Sequence, residues 1–200
     1  MHPIPHPNDT VVTDATTLWN LVSGPAAEPK VSIRISGYID LGEIDPFEDE
    51  VSGKTMFKWI EFGQELTLWS DNGGTLNATR KGRVFQVNNG GYLRLEGIRL
   101  TGGFARGNGG GCLLMTGGIV MVNESTFEDC EITRTSGTAL GGGVGVRSGQ
   151  LALANTRFLN TRVVSEVQNS AFGGGVAVHG GGFVEMRNVS FVGTSVSSSR

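Results

Sequence analysis

The sequence predicts an all-β fold: a single-stranded parallel β-helix of about five coils with a short N-terminal capping helix. Three observations predict it. Glycine triplets recur at intervals of 32 residues, and repeats of this length are typical of solenoids, whose units bury apolar surface by stacking. Within each repeat, apolar residues alternate with polar ones, as in half-buried strands. Glycines then divide each repeat into three short runs, whereas a propeller blade needs four antiparallel strands.

The triplets begin at Gly109, Gly141 and Gly173. Each is followed by an alternating apolar pair, a glycine turn, a second apolar pair and, five residues further, a phenylalanine. Like residues are expected to stack from coil to coil at the strand spacing of about 4.8 Å. The first pairs are Cys112/Leu114, Val144/Val146 and Val176/Val178, and the second are Val120/Val122, Leu151/Leu153 and Val184/Met186. The predicted inner ladders therefore include Cys112, Val144 and Val176, and Phe127, Phe158 and Phe191.

The repeats resemble those of right-handed β-helix proteins of the pectin-lyase-like superfamily. The resemblance lies in the Gly141-Gly142-Gly143-Val144 entry, the Gly149-x-Leu151-x-Leu153 strand and the Phe158-Leu159-Asn160 exit. It is clear over residues 82–200 and faint over residues 31–81. These motifs are similar to the Gly-Gly-Ala-Ile and Phe-x-x-Asn repeats of polymorphic outer-membrane adhesins, although the exits at Phe127 and Phe191 lack the asparagine. The resemblance implies a right-handed coil and an extracellular or cell-surface location. The superfamily includes lyases, hydrolases, adhesins and inert scaffolds.

Residues 1–30 are predicted to form an extension and a capping helix, and residues 31–200 the β-helix. Thr13 or Asp14 caps a helix whose apolar side, Leu18/Trp19/Val22, covers the open first coil. The regular repeats are 109–140, 141–172 and 173–200. The earlier coils are predicted from Val31/Ile33/Ile35, Ile39/Leu41, Ile60/Phe62, Leu66/Leu68, Phe85/Val87, Leu93/Leu95 and Leu100.

Two further features concern partners. Segments 130–140 and 161–172 are inserted at the same point of successive repeats, so they are expected to project from one face, which is often the binding face. The chain stops at Arg200 without a closing helix, which predicts a C-terminal truncation or further coils, and end-to-end self-association through that coil.

Composition excludes several classes. The net charge is −3 and the basic residues are scattered, so no nucleic-acid partner is expected. No apolar run reaches the roughly 18 residues of a transmembrane helix. The first residues have neither a basic segment nor an apolar one, so no signal peptide is visible.

An acidic loop, from Glu43 to Glu50, is the best candidate for a metal site. Its carboxylates could gather around a hard cation such as calcium, the one cofactor considered, although a solvated loop is the favoured interpretation. The loop carries Glu43, Asp45, Glu48, Asp49 and Glu50.

Trp59, Trp69 and Tyr92 each follow or precede an inward position, so they are predicted to face outward. Exposed aromatic rings can stack on sugar rings or on a protein partner. The alternative is that the N-terminal helix or the acidic loop packs over them.

The carboxylates of the repeats do not predict a catalytic site. Glu128 and Asp129 are adjacent, so on a strand they point to opposite faces and cannot hold one substrate together. Arg94 shares an outward slot with Glu185, and Glu96 shares one with Arg187, with uncharged residues between. These are interpreted as solubilising charges.

Cys112 and Cys130 allow two interpretations, a disulfide within one coil, if their Cα atoms lie within about 7 Å, or two buried thiols.

The sequence therefore favours a non-catalytic β-helix scaffold or adhesin-like surface module that presents its repeat loops to a protein or a polysaccharide. The alternative is a polysaccharide lyase or glycoside hydrolase fragment. That activity requires carboxylates with arginine or lysine on one sheet face.

Overall fold

The computed structural model of the chain describes residues 10–23, 28–44, 47–49, 54–107, 109–134, 139–165 and 171–198, with the backbone alone at 47–49 and 54–56. It is a parallel β-solenoid of about five turns with a single short α-helix near the N-terminus, which confirms the predicted fold class.

The helices are α1 (Ala15–Ser23) and a short 3-10 helix (Leu41–Glu43). The strands up to the first glycine triplet are β1 (Thr10–Val12), β2 (Lys30–Ile35), β3 (Tyr38–Asp40), β4 (Phe47–Asp49), β5 (Lys54–Ile60), β6 (Glu65–Asn77), β7 (Arg83–Val87), β8 (Tyr92–Thr101) and β9 (Phe104–Arg106). The strands of the repeats are β10 (Leu113–Asn123), β11 (Thr126–Glu128), β12 (Glu131–Arg134), β13 (Ala139–Leu140), β14 (Val144–Ala154), β15 (Arg157–Leu159), β16 (Arg162–Ser165), β17 (Ala171–Phe172), β18 (Val176–Arg187), β19 (Ser190–Val192) and β20 (Ser195–Ser198).

Successive coils pair in parallel on four faces. The longest strands bend and so contribute to two faces each. Face 1 consists of β5, β7 and the first parts of β10, β14 and β18. Face 2 consists of β2, the first parts of β6 and β8 and the last parts of β10, β14 and β18. Face 3 consists of β3, the last parts of β6 and β8, β11, β15 and β19, and face 4 of β9, β12, β16 and β20.

Helix α1 covers the N-terminal end of the core. The Oδ1 atom of Asp14 accepts a hydrogen bond of 2.8 Å from the amide of Thr17, which makes Asp14 the N-cap. Leu18 and Val22 are buried, and the ring of Trp19 packs edge-on against Phe57 with centroids 5.6 Å apart. Strand β1 pairs in parallel with β2 and so extends face 2 at its N-terminal end. Because a first coil would otherwise expose its core, this cover allows the stack to begin.

The interior is built from stacked equivalents. The rings of Phe127 and Phe158 lie 4.9 Å apart and 4° from parallel, and those of Phe158 and Phe191 lie 4.9 Å apart at 16°. Leu100 occupies the same slot one coil earlier. The period of two in the sequence therefore places one ladder of side chains on the axis side of face 3.

The backbone is left-handed at the corner between faces 2 and 3 in the last three coils. Glu124, Asn155 and Asn188 have φ of 49°, 48° and 53° at the corner between faces 2 and 3. Asparagine tolerates this conformation better than most residues. The amide of Asn188 donates to Asn155 at 2.8 Å, and that of Asn155 donates to Asn123 at 3.0 Å. Side-chain hydrogen bonds therefore continue the stacking along this corner.

The register of the first repeat differs from the predicted one. Leu113, not Cys112, lies opposite Val144, and Met115 lies opposite Val146. The strands after the first and second triplets are thus offset by 31 residues, whereas those of the second and third are offset by 32, as Val144 opposite Val176 shows. The extra residue is absorbed next to the glycines, where no side chains fix the register.

Cys112 is buried in the coil, where it forms a disulfide with Cys130. Their Cα atoms lie 5.4 Å apart, so the first of the two interpretations is the one observed. The bond joins the start of face 1 to the corner after face 3 and closes across the interior of one coil.

Phe62 does not belong to an inward pair. Strand β5 ends at Ile60, and the amide of Gln64 donates to the carbonyl of Glu61 in a tight turn. The Phe62 side chain is 86% exposed and lies over Gly90, where a Cβ atom would collide with its ring. The predicted inward position of Phe62 is therefore wrong because the turn begins one residue earlier.

Candidate functional site

The predicted metal loop lies largely outside the described residues. Glu43 is exposed at the end of the 3-10 helix. Asp45 and Glu50 fall outside the described residues, and Glu48 and Asp49 are described only by the backbone of β4. In the described part of the chain, no three histidine, cysteine, aspartate or glutamate side chains form a cluster that could hold a metal ion. Calcium binding by this loop stays a prediction.

The three predicted aromatic ligands do not converge. Trp59 lies on face 1, whereas Trp69 and Tyr92 lie in different slots of face 2. Trp59 is half-buried, and its Nε1 atom has no acceptor among the described residues. The Tyr92 hydroxyl lies 3.1 Å from the sulfur of Met121.

Trp69 corrects the expectation of exposure, because its side chain is only 8% exposed. The guanidinium of Arg34 lies over the indole, 5.3 Å from its centroid, and forms an ion pair of 2.6 Å with Asp71. This covering group comes from the neighbouring strand β2, in which Arg34 is paired with Trp69.

A group of hydrogen-bonded charged side chains lies on the outer side of face 4. The Oε2 atom of Glu131 accepts hydrogen bonds from Nη1 of Arg80 at 3.0 Å and from Nε of Arg162 at 2.6 Å, and Nη2 of Arg162 also contacts it. The Oε1 atom accepts from the hydroxyl of Thr133 at 3.0 Å. The Glu131 side chain is 8% exposed, whereas each arginine side chain is 52% exposed. One buried carboxylate thus holds two half-exposed guanidinium groups in place.

An aromatic ring completes this group. Phe104 lies beside Glu131 on the adjacent strand and is half-buried. The guanidinium of Arg80 lies 4.8 Å from the centroid of the ring, and that of Arg106 lies 5.9 Å from it. Such distances are within the range of cation–π attraction. The arginine platform, as we call Arg80, Phe104, Arg106, Glu131 and Arg162, therefore exposes three guanidinium groups around one ring and one carboxylate.

The charge state of the platform follows from its contacts. Burial raises the pKa of Glu131, but the hydrogen bonds from Arg80, Arg162 and Thr133 outweigh burial and leave the pKa below its ordinary value of 4.5. Glu131 is therefore ionised at neutral pH. Three guanidinium groups against one carboxylate give the platform a local charge of about +2.

Local backbone geometry positions these side chains. Arg80, three residues after the end of β6, has φ of 59°, and its amide donates to the carbonyl of Gly102 at 2.8 Å, which turns the chain toward face 4. Glu131 sits where the first glycine triplet passes behind it. A Cβ atom on Gly111 would lie 2.5 Å from the Glu131 nitrogen, so only glycine fits.

A further arginine supports the triplet from inside. Arg83 is buried and donates from Nε to Gly110 at 2.7 Å and from Nη2 to Gly109 at 2.8 Å. Burial, and secondarily the charge of Arg147, lowers the pKa of Arg83 to about 10, so the group stays charged at neutral pH. Its observed contacts are with backbone carbonyls, which indicates that it holds the triplet in place.

Part of the platform could be found in the sequence. Glu131 and Arg162 are 31 residues apart and occupy the same slot of successive coils, so an alignment with the correct register pairs them. Arg80 follows a coil without the inserted segment, so the repeat gives no sign of it. Phe104 and Arg106 belong to strand β9 of the next coil.

Comparisons of the chain with protein-family models, with characterised proteins and with solved structures found no match. Among the described residues, no helix has the length and apolar character needed to cross a membrane.

Proposed function

We propose that the chain is a non-catalytic β-helix module of the pectin-lyase-like, adhesin-repeat type that binds a protein or a glycan at a cell surface through the arginine platform. The observation that carries this proposal is the arginine platform itself, in which Arg80 and Arg106 lie over the Phe104 ring and Arg162 is held beside it by Glu131. An aromatic face packs against a sugar ring or an apolar side chain, and guanidinium groups donate paired hydrogen bonds to carboxylates and sulfates.

The position of the platform supports the same proposal. Its strands β12 and β16 belong to the segments inserted at one point of the repeat, where a binding face is expected. Residues 135–138 and 166–170, which follow these strands, lie outside the described residues.

Charge pairing argues against the glycoside hydrolase alternative. Hydrolysis by paired carboxyl groups needs two of them on opposite sides of the scissile bond. On the four described strands of face 4, Glu131 is the only carboxylate, and two arginines neutralise it. On face 3, Glu128 is likewise paired with Arg99.

The test measures retention of the purified protein on immobilised acidic and neutral polysaccharides, with Arg106→Ala and Phe104→Ala compared with the parent. Arg106 is exposed, and its contact is with the Phe104 ring, so its removal leaves the Glu131 cluster intact. We expect weaker retention of both variants.

The matched control is Arg157→Ala, which removes one exposed arginine from face 3. Equal loss of retention in Arg106→Ala and Arg157→Ala would show that general positive charge, rather than the platform, accounts for binding. Lack of retention on every polysaccharide would remove the glycan half of the proposal.

A further inference from the structure

A second outer surface of the molecule, on face 2, carries apolar side chains instead of arginines. It consists of four rungs, the strand segments Tyr92–Glu96, Ile119–Asn123, Gln150–Ala154 and Phe183–Arg187, which we call the face 2 patch. Ile119, Met121 and Phe183 point outward from it and are 43%, 45% and 63% exposed. Large apolar side chains grouped on one open sheet face indicate an interaction surface.

The charges of the patch lie on its two outer rungs and are arranged in opposite order. The first rung carries Arg94 and Glu96, and the fourth carries Glu185 and Arg187 in the same two slots. Arg94 and Glu96 form an ion pair of 2.9 Å. In those slots the two middle rungs carry uncharged residues, such as Met121 and Ala152. Along the strand direction, the charges therefore run positive then negative on the first rung and negative then positive on the fourth.

This order fits a second copy of the same patch. Consider a twofold axis that lies in the interface, parallel to the strands and between the second and third rungs. It exchanges the first rung with the fourth and the second with the third. It keeps each residue's position along the strand, which we call its slot. Arg94, whose side chain is 35% exposed, then meets Glu185 of the other copy, and Arg187 of that copy lies over Glu96, whose side chain is 7% exposed. Tyr92 meets Phe183 of the other copy, and the large Met121 meets the small Ala152. Four of the six distinct contacts are thus complementary, whereas Ile119 faces Gln150 and Asn123 faces Ala154 in the other two.

The other face-to-face twofold arrangement, with its axis along the coil, is disfavoured. It keeps each rung and therefore places Arg94 against Arg94 and Glu185 against Glu185. Like charges opposed in this way cost free energy. The charge order selects antiparallel coils.

We propose that two copies of this chain dimerise face to face through the face 2 patch, with their coil axes antiparallel. Four rungs about 4.8 Å apart and three outward slots about 6.6 Å apart cover on the order of 400 Å² per copy. The total of about 800 Å² lies below the range of roughly 1,200–2,000 Å² for stable interfaces, so the dimer is weak and forms at high protein concentration. The ion pairs at its rim make association weaker as salt rises.

The test is sedimentation velocity from about 10 µM to about 1 mM protein, the range in which an interface this small associates, at low and high salt. The informative variant is Glu185→Arg with Arg187→Glu. Both side chains are exposed, and the exchange preserves composition and net charge while it places like charges opposite Arg94 and Glu96. The control exchange, Glu124→Arg with Arg157→Glu, alters two exposed residues outside the patch.

We expect the parent and the control to dimerise at low salt and the exchange variant to remain monomeric. Monomeric parent protein over the whole range would overturn the proposal. Equal association of the parent and the exchange variant would also overturn it, and would direct attention to end-to-end contact through the exposed Val178, Phe191 and Val196 of the last described coil.

Crosslinking tests the direction of the axis. Met121→Cys protein mixed with Ala152→Cys protein is expected to form disulfide-linked dimers several times faster than either variant alone, because these positions face one another across the proposed axis. The native cysteines are already bonded to each other and do not compete. If Met121→Cys alone crosslinks as fast as the mixture, the antiparallel arrangement is wrong.

Discussion

The middle and the last described coils carry the same kinds of residue in different surroundings. Phe158 is fully buried between two rings, whereas Phe191 stacks on Phe158 alone and is 44% exposed. Val146 is 1% exposed, and its equivalent Val178 is 48% exposed. A coil therefore gains stability from the neighbours on both of its sides, and identical side chains contribute differently according to their position in the stack.

The largest expected effect tests this comparison directly. Phe158→Ala removes a ring that packs on both sides, and we expect it to lower the free energy of unfolding by about 3–5 kcal/mol. Phe191→Ala deletes the same atoms next to a single neighbour and should cost about half as much or less. Urea unfolding of both variants measures the two losses. Equal losses would contradict the two-sided account of coil stability.

The disulfide adds a restraint that the last coil lacks. Cys112 and Cys130 are 18 residues apart, and a crosslink over a loop of this size contributes about 3 kcal/mol. Replacement of both cysteines by alanine should lower the free energy of unfolding by that amount. A reductant should destabilise the parent and leave the double variant unchanged. An unchanged parent would show that the bond contributes nothing to stability.

The asparagine corner predicts a smaller difference. Asn155 bonds to an asparagine on each side and has a left-handed backbone. Asn155→Ala loses these bonds and introduces backbone strain, for a total of about 2 kcal/mol. Asn155→Gly loses the same bonds without the strain and should cost about 1 kcal/mol less than alanine. Thermal unfolding compares the two, and a glycine variant no more stable than the alanine variant would exclude strain as a cause.

The smallest expected effect concerns pH. Because the folded pKa of Glu131 lies below its unfolded value, the ion cluster stabilises the fold fully above about pH 4.5 and is lost as pH falls through the lowered value. Glu131→Gln should therefore lose part of the acid sensitivity of the parent. Glu124→Gln, at an exposed position, serves as the control. Identical acid profiles of the parent and Glu131→Gln would contradict the lowered pKa.

The sequence was sufficient to predict the solenoid because a period of two within a period of 32 residues leaves few other folds. It also indicated the helix, because Asp14 and the apolar side of α1 provide local signals. The errors at Cys112 and Phe62 arose next to glycines and turns, where the backbone can absorb or lose one residue without breaking the pattern.

The arginine platform depended on contacts that the repeat does not encode. Arg80 follows a coil without the inserted segment, and its approach to Glu131 relies on a left-handed backbone at a non-glycine residue. The cover over Trp69 likewise comes from Arg34, whose register with Trp69 is fixed only once β2 pairs with β6. Such contacts between irregular coils require the three-dimensional path of the chain.

Incubation with a panel of acidic and neutral polysaccharides, with and without calcium, tests whether the module binds without catalysis. New reducing ends and new unsaturated ends are measured beside the amount of protein bound. We expect bound protein and no new ends above the buffer control. A steady release of new ends would contradict this expectation and establish the lyase or hydrolase alternative.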